Sequence, residues 1–244
     1  MQLYDSSFVE QLFDEMSGTY GLVNYVSSFG FCRRWRRQLT DRAALSRGAT
    51  VCDFMCGMGE TWPLVHRQTG GEMRLIGFDI SAGMLRGAWA QRARLQSTSI
   101  DIRRENALAN SLADGSIDVV LCGVGIKTLS APQAAQLAAE VHRVLRPGGR
   151  FAMIEISVPR RRWLRGAYMF YLKWIIPLIG KICLGNPDCY RYLGIYTERF
   201  GDCAALLSSA GLETRFEQFF WGCATGVWGR KPGLDGPLAI APKP

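Results

Sequence analysis

Val51-Cys52-Asp53-Phe54-Met55-Cys56-Gly57-Met58-Gly59-Glu60-Thr61, followed by Ile76-Gly77-Phe78-Asp79-Ile80-Ser81, decides the fold. An apolar run that stops at a glycine-rich turn and resumes with helical periodicity reads as strand, loop, helix. About twenty residues past the turn a second apolar run ends on Asp79, where an acid would hold ribose hydroxyls in a nucleoside-binding βαβ unit. A dinucleotide site needs a small residue at the third position of G-x-G-x-x-G and a helix N-terminus free for pyrophosphate. Counted from Gly57, that position is Trp62, and Asp53 and Glu60 place two carboxylates beside the loop. Such a turn repels phosphate and favours a cation. S-adenosylmethionine, with a sulfonium, an ammonium and no phosphate, fits this charge pattern better.

Outward from that unit, residues 49–54, 73–78, 98–103, 117–122 and 149–157 read as strands. Helical patterns lie between several of them, at 60–69, 81–95 and 132–145. The alternation predicts an α/β fold with a doubly wound, parallel sheet. Ligands bind such sheets at the carboxyl ends of the strands, which puts Asp53, Asp79, Asn106 and Gly123 along one edge. A helix around 198–210 and strand-like runs near 212–219 and 222–229 predict a closing antiparallel hairpin.

Towards the start, Ser7-Phe8-Val9-Glu10 fits a capping box, so an amphipathic helix over 7–16 is expected to end near Gly18. Tyr20 to Gly30, rich in small and aromatic residues, reads as a flap over the cofactor, and 31–46 as a basic helix. Trp163 to Leu184 is strongly apolar but broken by Arg165, Lys173, Pro177 and Lys181. A membrane span wants about twenty predominantly apolar residues. The stretch therefore reads as a helical insertion, packed on the core or forming a lid over an apolar tunnel that touches a bilayer. After Lys231, proline and glycine dominate and a disordered tail is expected.

A 27.2 kDa chain with 48% hydrophobic residues can bury one sizeable core. The first residues lack the basic and apolar regions of a signal peptide, so a cytoplasmic protein is expected. Eight cysteines without a C-x-x-C pair read as reduced, mostly buried thiols. With His66 and His142 the only histidines, no metal site is expected. The formal charge of +8 concentrates in Arg33-Arg34-Trp35-Arg36-Arg37 and Arg160-Arg161-Arg162. These clusters suit solvated helix faces, an anionic membrane surface or nucleic acid. No N/D-P-P-Y/F motif follows the fourth strand to hold a flipped base, so a nucleic-acid partner is not expected.

Val51 to Glu60, Gly77 to Leu85 and Val144-Leu145-Arg146-Pro147-Gly148-Gly149 resemble class I methyltransferase motifs. Phe13 to Tyr20, Asp118 to Gly125 and Asp188 to Leu193 narrow the resemblance to the ubiquinone/menaquinone biosynthesis C-methyltransferase family, over nearly everything up to Lys231. The resemblance implies a seven-stranded, mostly parallel sheet with an antiparallel C-terminal hairpin and an apolar helical lid. It also implies a helical cap over 1–48, a cofactor-binding domain over 49–231 with the lid near 160–195, and a tail over 232–244.

The implied cofactor is S-adenosylmethionine, with S-adenosylhomocysteine as product. Asp53, Cys56, Gly57, Gly59, Asp79, Ile80, Met84, Asn106, Ala107 and Gly123 would contact it. Tyr20 matches a tyrosine that contributes to the family's active site. Lys127 stands where quinone-methylating relatives carry an arginine implicated in activating the phenol. The chain departs from the family at Lys127-Thr128, Gly21, Tyr25 and Asn106. From the residues alone, Tyr190, Arg191, Tyr192 and Tyr196 form an aromatic patch with one cation that could orient an acceptor. Asp188 could organise Arg191 or take a proton through water.

These features predict C-methylation of a quinone-type or phenolic lipophilic acceptor. The alternative is an O-, N- or C-methyltransferase of specialised metabolism, and a binding protein that has lost chemistry is a third class. Peripheral contact with the inner face of a membrane, and a homodimer, stay open.

Overall fold

The computed structural model describes residues 3–183, 185–203 and 211–233. The expected tail, and the end of the helix expected over 198–210, lie outside the described residues. One sheet in the order β3-β2-β1-β4-β5-β7-β6 carries the domain. Its strands are β1 (Ala49–Phe54), β2 (Met73–Asp79), β3 (Ile100–Arg104), β4 (Ile117–Gly123), β5 (Leu145–Ile156), β6 (Glu213–Phe219) and β7 (Ala224–Arg230). The first five run parallel, while β7 lies antiparallel to β5 and to β6.

β1 and β4 are buried along almost their whole length, as central strands covered by helices on both faces must be. The covering helices are α2 (Phe31–Ala43), α3 (Trp62–Thr69), α4 (Ala82–Leu95) and α5 (Ala131–Val144). Strand order reverses between β1 and β4, and in sheets of this kind the ligand crevice opens outside that switch point.

The N-terminal helix α1 (Ser6–Ser27) is longer than its glycines suggest. Asp5 caps it in place of the expected Ser7 box, its carboxylate accepting from the Ser7 and Phe8 N–H groups. Gly18 and Gly21 each cost about 1 kcal/mol relative to alanine in a helix. Val9, Leu12, Met16, Val23 and Ser27 nevertheless keep one buried stripe running through them. Tertiary packing outweighs the local penalty. The segment expected as a flap is thus the second half of α1.

The apolar insertion forms α6 (Arg162–Phe170), a π turn (Tyr171–Ile175) and α7 (Ile176–Ile182), followed by α8 (Pro187–Phe200). Pro177 falls just after the π turn, where the helical hydrogen-bond pattern changes. Together with α1 this layer buries Met169, Leu172, Ile176, Tyr190 and Tyr196 in a core of its own. Among the described residues no helix is long and apolar enough to cross a membrane.

Candidate active site

The turn after β1 is built on two glycines with positive φ, Gly57 at 57° and Gly59 at 73°. A Cβ on Gly59 would stand 2.6 Å from the Trp62 ring, and one on Gly77 would stand 2.5 Å from it. The indole that rules out a dinucleotide turn thus fills the space where a third glycine would let helix and strand meet.

Asp53 turns towards this packing. Its Oδ2 accepts from Thr61 Oγ1 at 2.7 Å and Trp62 Nε1 at 3.0 Å, while Oδ1 is buried without a partner among the described residues. Desolvation raises its pKa from 3.8 to about 7, against the opposing hydrogen bonds from Thr61 and Trp62. A carboxyl raised in the folded state contributes stability that is complete below 3.8 and lost as pH rises through about 7. Asp53→Asn should therefore flatten the fall in stability of the cofactor-free protein between those values. The effect is about 4 kcal/mol at most. Thermal melting of both proteins across that range checks it, and parallel pH profiles would refute it.

Asp79, at the end of β2, faces the crevice. Its Oδ2 accepts from Gly57 N–H at 2.8 Å and its Oδ1 from Ser81 N–H at 2.9 Å. Desolvation pushes its pKa up to about 6. Each oxygen retains a lone pair for a ligand hydroxyl.

The crevice runs past Cys56, Gly57, Asp79, Ile80 and Met84 to Asn106, Ala107 and Gly123. Asn106 Oδ1 is turned onto Leu108 N–H at 2.9 Å. Gly59 and Asp53 support the turn from behind and do not line the crevice. The other end of the crevice carries a charge pair that sequence reasoning missed. Arg36 on α2 donates to Glu60 at 3.0 Å, with the guanidinium largely buried. The cysteines of β1, the turn and β4 are inert, because burial holds the Cys52, Cys56 and Cys122 thiols well above the usual range.

A second, apolar chamber lies beside the first and is lined by α1, α2, the insertion and α8. The two share Phe13, Tyr20 and Val124. Val124 sits at φ 67°, a strained conformation for a β-branched residue, at this junction. Burial first, and then the Glu60 carboxylate, push the Tyr20 phenol far above its ordinary pKa, so it stays protonated.

In the second cavity, Lys127 is buried with its Nζ 2.8 Å from Glu155 Oε1. Glu155 also accepts from the Lys127 N–H at 3.0 Å and the Ile156 N–H at 2.7 Å. Glu155, on β5, is another residue the sequence did not single out. A buried ion pair of this kind survives because backbone donors complete the carboxylate's hydrogen bonding. Among the described residues Glu155 is the only partner of Nζ, so two of its three N–H groups remain for a ligand.

The proposed tyrosine patch divides. Tyr190 lines the chamber and pairs with Thr19 at 2.8 Å. Tyr196 donates to Leu3 O at 2.6 Å, and Tyr192 stacks edge-on against Phe8. Neither lines either cavity. Asp188 and Arg191 form an exposed pair 3.3 Å apart on the outer face of α8.

α1 is fastened over both cavities by a contact that explains part of the Phe13 to Tyr20 run. Asp14 accepts from Ser81 Oγ at 2.5 Å and Gly83 N–H at 2.7 Å, at the N-terminus of α4 where a carboxylate is favoured. A Cβ on Gly83 would meet Ser17 Oγ at 2.6 Å, so glycine permits the close approach.

The model of the ubiE/COQ5 methyltransferase family matches residues 1–231. The chain is 30% identical over 228 residues to a demethylmenaquinone methyltransferase of Lactiplantibacillus plantarum, covering 91% of this chain and 95% of the relative. It is 31% identical over 237 residues to a ubiquinone/menaquinone biosynthesis C-methyltransferase of Rubrivivax gelatinosus, covering 96% and 90%. In solved structures the fold recurs in the [4+2]-cyclase SpnF, with TM-score 0.62, 16% identity and coverage of 93% and 96%. It also recurs in a SAM-dependent methyltransferase of Aquifex aeolicus, with TM-score 0.54, 19% identity and coverage of 80% and 89%. These two likenesses concern the fold alone.

Proposed function

The chain belongs to the ubiE/COQ5 methyltransferase family and uses S-adenosylmethionine, and from that premise we propose that it methylates a ring carbon of a quinone-type or phenolic acceptor bearing an apolar tail. The observation that carries the acceptor class is the apolar chamber, which among the described residues joins the crevice only at Phe13, Tyr20 and Val124 and holds one buried cation, Lys127.

The residues of the crevice suit the cofactor. Asp79 offers two acceptor oxygens to ribose hydroxyls, and Asn106 to Leu108 form a wall for the adenine. Arg36 and Glu60 present one positive and one negative group to the zwitterionic amino-acid end. When bound, S-adenosylmethionine supplies an activated methyl group on a sulfonium. The protein's part is to hold the acceptor carbon in line with it and keep water out, which is worth roughly 7–11 kcal/mol of the barrier.

A phenolic ring becomes a carbon nucleophile when its hydroxyl gives up the proton. Lys127 Nζ, fixed by Glu155, stabilises the resulting oxyanion with its two unused N–H groups. Tyr20, held protonated, stands at the junction as a hydrogen-bond donor. An acceptor with an isoprenoid tail dissolves in a bilayer, so the reading includes peripheral contact with the inner face of a membrane.

Incubating the protein with trideuteromethyl-labelled S-adenosylmethionine and a demethylmenaquinol, kept reduced by dithionite, should give a product carrying one labelled methyl on a ring carbon. Mass spectrometry with fragmentation locates the label. Label on oxygen or nitrogen, or none at all, would sink the proposal.

A further inference from the structure

Among the described residues thirteen large hydrophobics are exposed, and all but Trp89 and Phe216 fall in three segments: 22–29, 163–182 and 220–221. The three segments meet around the apolar chamber. Tyr171 donates to Ser27 O at 2.6 Å, and the rings of Phe29 and Tyr171 lie 6.2 Å apart. The Phe220 ring lies tilted against Phe31, centroids 4.4 Å apart, and stacks on Trp221 at 5.2 Å. Phe29 and Phe220 belong at once to the chamber wall and to the exposed rim.

The backbone makes this rim expensive. Phe29, Phe220 and Trp221 have φ of 48°, 45° and 54°, in the left-handed region where glycine is cheapest. The three residues are 78%, 45% and 61% exposed. A strained backbone that presents large aromatic rings to water gains little from the fold itself. Such strain persists at sites where the presented group has work to do.

Charge surrounds the rim. Arg33, Arg34 and Arg37 on α2, and Arg160, Arg161, Arg162 and Arg165 at the start of α6, are all exposed. Only Arg160, 3.4 Å from Asp202, makes an ion pair among the described residues. Aromatic rings beside unpaired arginines match the boundary between acyl chains and anionic headgroups. A second copy of the chain, placed across a twofold axis, would set these arginines against one another.

We propose that the chamber rim seats on an anionic bilayer, with Phe29, Phe220 and Trp221 entering the headgroup boundary and the two arginine clusters on the lipid phosphates. This rests on the lipophilic-acceptor reading and gives it a route of entry from the lipid phase straight into the chamber.

Flotation with vesicles of phosphatidylglycerol and phosphatidylcholine in equal parts, free of quinone and cofactor, tests it apart from methyl transfer. The parent protein should float with them, less so with pure phosphatidylcholine or in high salt. Trp221→Gly should weaken binding about tenfold while melting no lower than the parent, because glycine releases the left-handed strain. Arg161→Glu with Arg162→Glu should abolish the preference for the anionic vesicles. A parent that stays in the soluble fraction with anionic vesicles overturns the proposal. So does a Trp221→Gly variant that floats as well as the parent, or a parent dimer that the same variant dissociates and that ignores vesicles.

Discussion

Asp79→Ala should weaken binding of S-adenosylhomocysteine by about 100-fold, through the loss of about 3 kcal/mol from hydrogen bonds to a charged acceptor. The carboxylate has two jobs that alanine cannot do. It would receive the ribose hydroxyls, and it fixes the glycine turn through the Gly57 N–H. Since its pKa stands near 6 in the ligand-free protein, affinity should also rise with pH through that value as the carboxylate ionises. Binding should in turn lower that pKa. Calorimetric titration between pH 5 and pH 8 reads both effects. An Asp79→Ala protein that binds within threefold of the parent would remove this residue from the cofactor site.

The second large effect concerns the pair inside the chamber. Lys127→Met leaves the Glu155 carboxylate buried with two backbone donors and no cation, which should cost about 3–5 kcal/mol of stability. Glu155→Gln should cost a similar amount by stranding the ammonium. The double variant Lys127→Met with Glu155→Gln removes both charges, so denaturant unfolding should show it less destabilised than the sum of the two. Turnover should behave differently. All three proteins should lose about two to three orders of magnitude, because the charge that stabilises the acceptor oxyanion is absent or displaced. Affinity for S-adenosylhomocysteine should stay within threefold of the parent. Recovery of parental turnover in the double variant would show that the pair is structural and has no part in the chemistry. Lys127→Arg, which keeps the charge, should retain part of the activity.

Much of the cofactor half of the site is legible along the chain because its parts are contiguous. Gly57, Gly59 and Asp79 announce a strand, a turn and the next strand end, and the bulk at Trp62 already excludes a dinucleotide. Contacts between distant segments are silent in the sequence. Arg36 and Glu60 are 24 residues apart and Lys127 and Glu155 are 28 apart, and nothing local marks them as partners. Gly18 and Gly21 misdirect for a related reason. Their local preference says stop, while the stripe from Val9 to Ser27 that holds α1 together becomes visible only against the insertion. The tyrosines near Tyr190 look alike in sequence, and helix α8 separates them by face, sending Tyr190 inward and Arg191 out.

One helix, α1, forms a wall of both cavities, with Val9 and Phe13 on the crevice and Val23 and Asn24 on the chamber. Two ligands that share this wall are coupled to the extent that each shifts the helix the other leans on. Whatever free energy the acceptor lends to cofactor binding through that helix, the cofactor returns in equal measure. By the same reciprocity, spent cofactor in the crevice and the methylated ring in the chamber change each other's equilibrium affinity by one common factor.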